Sequence, residues 1–184
     1  ALGTVLGRSN MPTMHSMAGK VFEQALPAIL GTTSPRAWAF ALMGIDEYLQ
    51  RFSGDRLASQ VRDELAGRLL TLYQNNRAEN WLWFEDRLTY CNAALPHAMI
   101  LCGHAMSNPL MTGAGLEALG WLADLQRSDG EGHPFVPIGS NGFYQKGRER
   151  ARFDQQPVEA QAMISACLEA HRATGDKRWR KEAR

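Results

Sequence analysis

Glu47-Tyr48-Leu49-Gln50-Arg51-Phe52-Ser53-Gly54-Asp55-Arg56 closes one apolar helical pattern and opens another, and the same ending returns at Glu169-Ala170-His171-Arg172-Ala173-Thr174-Gly175-Asp176-Lys177-Arg178. In both, an apolar helix runs into a small hydroxyl residue, Gly, Asp and a basic helix start. Glycine takes the left-handed C-terminal position without a Cβ penalty, and the aspartate accepts from the free N–H groups of the next helix. Each stretch therefore reads as the turn of a helical hairpin. Gly54 and Gly175 lie 121 positions apart. That leaves room for one further hairpin turn, around Gly103 to Pro109, and a period of about 60 residues.

Working outward, apolar residues recur at threes and fours on either side of these turns. Met14, Met17, Ala18, Val21, Phe22, Ala25, Leu26 and Ile29 define a first helix from Pro12, after an irregular lead-in over residues 1–11. Ser34 as N-cap and Pro35 at the first helical position start a second, which carries Trp38, Leu42, Ile45 and Leu49. A third runs from Arg56 to Gln74, and a fourth from near Arg87 through Cys102. The fourth is apolar around much of its circumference and is expected to be buried; Pro96 should kink it or mark its true start. A fifth follows Asn108-Pro109, a sixth spans Gln155 to Ala173 and a seventh begins after Asp176. No alternating run long enough for a convincing strand is present. The fold class is all-α, an array of antiparallel helical hairpins forming one domain over residues 1–184.

Hydrophobic residues make up 45% and charged residues 21% of the chain, a balance typical of a globular protein. A formal net charge of +1 provides no basic field for nucleic acid or an anionic membrane. No apolar run reaches the roughly 20 residues a bilayer requires, and no charged segment precedes an apolar one at the N-terminus, so a cytoplasmic protein is expected. Cys91, Cys102 and Cys167 fall in helical patterns and read as free buried thiols. Cys91 and Cys102 are about three helical turns apart, too far to share a metal on one helix. Neither a metal nor a cofactor is expected.

Two polar-aromatic clusters carry the chemistry: Asn80-Trp81-Leu82-Trp83-Phe84-Glu85-Asp86, and Gly142-Phe143-Tyr144 running on to Phe153-Asp154-Gln155-Gln156-Pro157-Val158-Glu159. The second starts within a loop from Ser128 to Arg152, longer than the 2 to 8 residues usual between helices, and runs on into the sixth helix. Aromatic faces stack on sugar rings, and carboxylates and amides bind hydroxyls and act as acid and base. The pattern points to a carbohydrate ligand. Trp81, Trp83 and Tyr144 are the candidates for stacking; Tyr90, Asn92, Gln155 and Gln156 for binding hydroxyls. Glycoside hydrolysis needs two carboxyl groups flanking the bond. Asp86, Asp154, Glu85 and Glu159 are the available set, with Asp86 and Asp154 the preferred pair because each is expected to begin a helix and face a shared funnel. The competing reading makes the same carboxylates helix caps and the aromatics core.

The words Trp83-Phe84-Glu85-Asp86-x-Leu88-Thr89-Tyr90-x-Asn92-Ala93-x-Leu95-Pro96 and Phe153-Asp154-Gln155-Gln156-Pro157-x-Glu159-Ala160, with the hairpin period, resemble the six-hairpin (α/α)6-toroid glycosidase superfamily. More narrowly, they are similar to bacterial proteins described as glycosyltransferases or encoded beside them. The resemblance covers Ser34 to Arg184. It implies a site in a funnel where long loops lead into inner helices, with the fourth and sixth helices inner and the third and fifth outer. A toroid needs about twelve helices and this chain supplies about seven, so it looks like a fragment of a longer protein. The functions implied are an enzyme acting on a glycosidic linkage, a non-catalytic sugar-binding or scaffolding domain associated with a glycosyltransferase, or a sugar isomerase or epimerase relying on His97 or His104. The expected partners are a carbohydrate ligand and either a glycosyltransferase or a second copy of the chain.

Overall fold

The structure, a computed structural model, describes residues 1–128 and 134–184. Among the described residues are eight α-helices: α1 (Leu2–Arg8), α2 (Pro12–Ala28), α3 (Pro35–Leu49), α4 (Arg56–Asn76), α5 (Ala94–Ala105), α6 (Pro109–Leu125), α7 (Pro157–Thr174) and α8 (Lys177–Glu182). Two short strands, β1 (Arg87–Leu88) and β2 (Tyr144–Gln145), pair antiparallel, with Arg87 opposite Gln145 and Leu88 opposite Tyr144. The all-α class holds.

Local chemistry sets the helix starts. Proline occupies the first turn of α2, α3, α6 and α7, where its missing N–H costs nothing. Ser34, Asp55, Asn108 and Asp176 each accept a backbone N–H of the helix they precede. The two turns that define the repeat differ at their glycines. Gly175 takes a left-handed φ of 71°, whereas Gly54 is outside that region and the chain leaves α3 through Gln50 in helical geometry. What the turns share is the aspartate cap. Asp55 Oδ1 accepts from Ala58 N at 3.0 Å, and Asp176 Oδ1 from Arg178 N at 2.8 Å.

The helices pair as hairpins α1–α2, α3–α4, α5–α6 and α7–α8. The first member of each pair also packs on the first member of the next, giving a row α1–α3–α5–α7, while α4 touches α2 and α6 in a second row. Within the first row the helices run parallel. Gly3 and Gly7 of α1 meet Gly44 and Glu47 of α3, and Arg36 at the start of α3 meets Tyr90 and Asn92 just before α5. The approach of α1 to α3 is so close that a Cβ on Gly3 would lie 1.7 Å from the Gly44 carbonyl oxygen, which is why small residues stand there.

The core lies between the two rows. Leu42, Ile45, Leu65, Leu69, Leu95, Ile100 and Leu119 are completely or almost completely enclosed. Short turns join the first row to the second, at 50–55, 106–108 and 175–176, whereas the long segments 77–93 and 126–156 lead back into α5 and α7. The described residues that lead into α5 and α7 thus gather at the N-terminal end of the parallel row.

Three expectations need correction. Residues 2–8 are helical, because Leu2, Val5 and Leu6 present an apolar edge to the rest of the bundle while Gly3 and Gly7 allow contact with α3. The helix expected from Arg87 begins instead at Ala94, since Arg87 and Leu88 are drawn into pairing with β2; Pro96 therefore sits in the first turn, as the second alternative for it required. Ile164 and Leu168, which the three- and four-residue apolar spacing of the sixth helix with Ala160, Met163 and Cys167 would place on its apolar side, are exposed on α7. No described helix is long and apolar enough to cross a membrane.

Candidate functional site

The parallel row walls a groove of about 930 Å³. Thr4 and Arg8 line it from α1, Phe40, Asp46, Glu47 and Gln50 from α3, His97 from α5, and Gln161, Ser165, Glu169 and Arg172 from α7. On α3, Phe40 and Glu47 stand opposite the apolar face of Leu42, Ile45 and Leu49, whereas Asp46, four residues after Leu42 and three before Leu49, borders that face and is buried at the groove's edge. The wall is polar at one end and apolar at Phe40, Met43 and Leu101.

The polar end is organised by charge. Arg172 donates to both oxygens of Glu169, at 2.8 and 2.8 Å, and Arg8 holds Glu47 through two guanidinium nitrogens. Asp46, 7% exposed, accepts from Gln50 Nε2 at 2.9 Å. Burial lifts the Asp46 carboxyl above its ordinary range, against the pull of the Gln50 hydrogen bond and the positive charge of Arg172. The His97 imidazole is pushed down to about 4, first by burial and then by Arg172, with Asp46 opposing. His97 is therefore neutral near pH 7. Its ring has no hydrogen-bond partner among the described residues, which leaves one nitrogen to donate and one to accept.

The second organised assembly lies at the N-terminal end of the row and joins two long segments. The Glu159 carboxylate, 2% exposed, accepts from Asn92 N at 3.2 Å, from Asn92 Nδ2 at 3.0 Å and from Cys91 N. Asn92 Oδ1 in turn accepts from Thr89 N at 3.0 Å and from Arg36 Nη2 at 3.2 Å. Arg36 also donates to Glu85 Oε2 at 2.6 Å and to the Tyr90 carbonyl at 2.7 Å. Burial pushes the Glu159 carboxyl up, and the hydrogen bonds from Asn92 and Cys91 and the charge of Arg36 pull it back. The arrangement braces α3, α5 and α7 to one another. Cys91 pays for its place in it with a φ of 48°, a left-handed conformation that a non-glycine residue rarely adopts.

Of the four candidate carboxylates, Glu85 and Glu159 thus meet through Arg36 and Asn92 in one brace. Asp86 and Asp154 are elsewhere, and neither begins a helix. Asp86 precedes β1, is solvent-exposed and accepts from Gln145 Nε2 at 3.0 Å. Asp154 stands three residues before α7 with φ 58°, its carbonyl accepting from Ser140 N at 3.1 Å and Ser140 Oγ at 3.0 Å. The N-cap of α7 is Gln156, without a side-chain bond to the helix.

The stacking candidates are drawn inward. Trp83 is 0% exposed, and Trp81 packs edge-on against Trp121 and Tyr144 with ring centroids 5.2 and 5.3 Å apart. Trp81 Nε1 donates to the Glu85 carbonyl at 2.8 Å, and Tyr144 is half-buried on β2. Tyr90, Gln155 and Gln156 are exposed, and Arg36 lies 5.5 Å from the Tyr90 ring centroid. Among the described residues, no group of His, Cys, Asp or Glu is placed to hold a metal ion.

Asp46, Gln50, Gln161, Ser165, Glu169 and Arg172 were not among the candidates. Their signal in the sequence is a set of polar residues on helices that also carry a full apolar face, a pattern indistinguishable from an ordinary solvated surface until the row is assembled. His97 and His104 separate clearly: His97 faces the groove, and His104 is exposed near the far end of α5. Comparison with protein-family models, with curated proteins and with solved structures finds no match to this chain.

Proposed function

We infer that the chain is a carbohydrate-recognition domain whose ligand lies along the groove of the parallel row. The observation that carries this reading is the groove wall. Amide, hydroxyl, carboxylate, guanidinium and neutral imidazole groups at its polar end match the alternating donors and acceptors of sugar hydroxyls, and Phe40, 51% exposed, offers a ring for stacking. The sequence resemblance to (α/α)6-toroid proteins of carbohydrate metabolism points to the same class. In such a toroid the row α1–α3–α5–α7 would form part of the inner wall, and the long segments before α5 and α7 would ring its mouth.

Binding is preferred to glycoside cleavage because Glu85 and Glu159 are consumed by the brace and Asp86 and Asp154 stand on exposed loops. A second reading, an isomerase or epimerase, is favoured by one observation: His97 is the candidate histidine that faces the groove, neutral and without a hydrogen-bond partner among the described residues.

Calorimetric titration with a panel of neutral and amine-bearing oligosaccharides tests the binding reading. Phe40→Ala should weaken the bound sugar about three- to tenfold, the effect of one lost stacking contact. Absence of any sugar binding at millimolar concentration would defeat it, as would full affinity in Phe40→Ala. Conversion of a bound sugar to its epimer or isomer, abolished in His97→Gln, would select the second reading.

A further inference from the structure

One carboxylate that lines the groove has no ion pair among the described residues. Asp46, Glu47 and Glu169 supply three carboxylates, and Arg8 and Arg172 supply two guanidinium groups. Each guanidinium is already engaged: Arg8 on Glu47, and Arg172 on both oxygens of Glu169. Arg62 of α4, which approaches Asp46 from the opposite side through a recess of about 190 Å³, is turned onto Asp63 at 2.9 Å. His97, facing the same groove from α5, carries no charge near neutral pH. Asp46 is thus left, 7% exposed, with the Gln50 amide on Oδ2 and no partner on Oδ1 among the described residues. A carboxylate this deeply set without an ion pair is costly, and a cation in the groove would compensate it.

We propose that the groove takes a ligand bearing a protonated amine, an amino sugar, with the Asp46 carboxylate as its anchor. The proposal rests on the carbohydrate reading above and narrows it. An ammonium group supplies the missing positive charge and three donors. One suits Asp46 Oδ1, and the acceptor nitrogen of His97 and the Ser165 hydroxyl, which line the same groove, offer places for others. A uronate or a phosphosugar would set a further anion beside the unpaired Asp46. A neutral or N-acetylated sugar would leave Asp46 uncompensated.

The test is calorimetric titration of the full chain at pH 7 and low salt with a glucosamine trimer, its fully N-acetylated counterpart and spermidine. The glucosamine trimer should bind about tenfold or more tightly than the acetylated one. Asp46→Asn, which keeps the shape of the side chain, should remove that preference and bring the two affinities together. Equal affinity for the two trimers overturns the amine proposal while the carbohydrate reading stands. Spermidine binding as well as the glucosamine trimer, or in its place, overturns the sugar part of it. If neither trimer binds, the carbohydrate reading itself fails and the amino-sugar anchor falls with it.

Discussion

Replacing Glu159 should destabilise the protein more than replacing any exposed carboxylate, and in a pH-dependent way that identifies the cause. Glu159 is 2% exposed and accepts hydrogen bonds from Cys91 N, Asn92 N and Asn92 Nδ2. In Glu159→Ala, two backbone N–H groups and one amide lose their acceptor inside the protein. A hydrogen bond to a charged acceptor contributes about 1.5–3 kcal/mol, but the three share one carboxylate and are not additive, and the variant escapes the cost of burying the charge. The expected loss is about 3–4 kcal/mol, measured by urea unfolding at pH 7. At roughly 2–4 °C per kcal/mol for a chain of this size, the midpoint should fall by about 6–16 °C. Glu159→Gln, which keeps one acceptor oxygen and turns an NH2 toward the donors, should lose less.

The pH dependence follows from the direction of the shift. Burial raises the Glu159 carboxyl above 4.5, so between that value and the raised one the folded state holds the proton more firmly than the unfolded state. Its contribution is full below 4.5 and declines as pH rises through the raised value. Relative to Glu159→Gln, the wild-type protein should therefore gain stability as the pH is lowered from 7 toward 4. A loss below about 1 kcal/mol in Glu159→Ala, or a gap from Glu159→Gln that widens in the opposite direction, would refute the brace.

Other consequences are open to simpler measurements. Trp83→Ala should cost about 3–5 kcal/mol, as for any large aromatic removed from a core, without altering sugar affinity in the folded fraction; a selective loss of affinity would return Trp83 to the site. Asp55→Ala should cost about 1 kcal/mol as a lost helix cap. Because the bond from Ala58 N holds the Asp55 carboxyl below 3.8, that contribution is present above 3.8 and fades as pH falls through the lowered value, so the two melting curves should converge in acid. Gly3→Ala should expose α1 to limited proteolysis or hydrogen exchange, since the new Cβ would collide with the Gly44 carbonyl; unchanged protection would show that α1 packs elsewhere. Burial pushes the Cys102 and Cys167 thiols up to about 12, so both should resist a thiol reagent at pH 8 until the protein is unfolded by denaturant.

The fold class was legible because helix chemistry is local. Ser34, Asp55, Asn108 and Asp176 cap the helices that follow them, and proline begins α2, α3 and α6 where the spacing placed it. The hairpin period was likewise visible, since Gly54-Asp55 and Gly175-Asp176 end helices that must turn back to cover an apolar face. Where a distant partner competes, local reading failed. Arg87 and Leu88 leave the helical pattern because Tyr144 and Gln145, more than fifty residues away, supply a strand. Residues 2–8 become a helix because α3 presents Gly44 and the Glu47 backbone to Gly3 and Gly7.

The candidate site divides along the same line. Its residue types were readable, because carboxylates, amides and aromatics crowd into the two segments that lead into α5 and α7. Their division of labour was not. Glu159 and Asn92, 67 positions apart, are joined into a brace by hydrogen bonds that no spacing encodes, and Trp81 and Trp83 are buried because Trp121 and Tyr144 arrive to cover them. The groove belongs wholly to the tertiary structure. Asp46, His97 and Arg172 come from three helices, and their charges act on one another because parallel packing brings those helices side by side and burial strips away the water that would screen them. Sequence sets what each helix presents on each face; which faces meet, and so which charges are left uncompensated, is decided by packing.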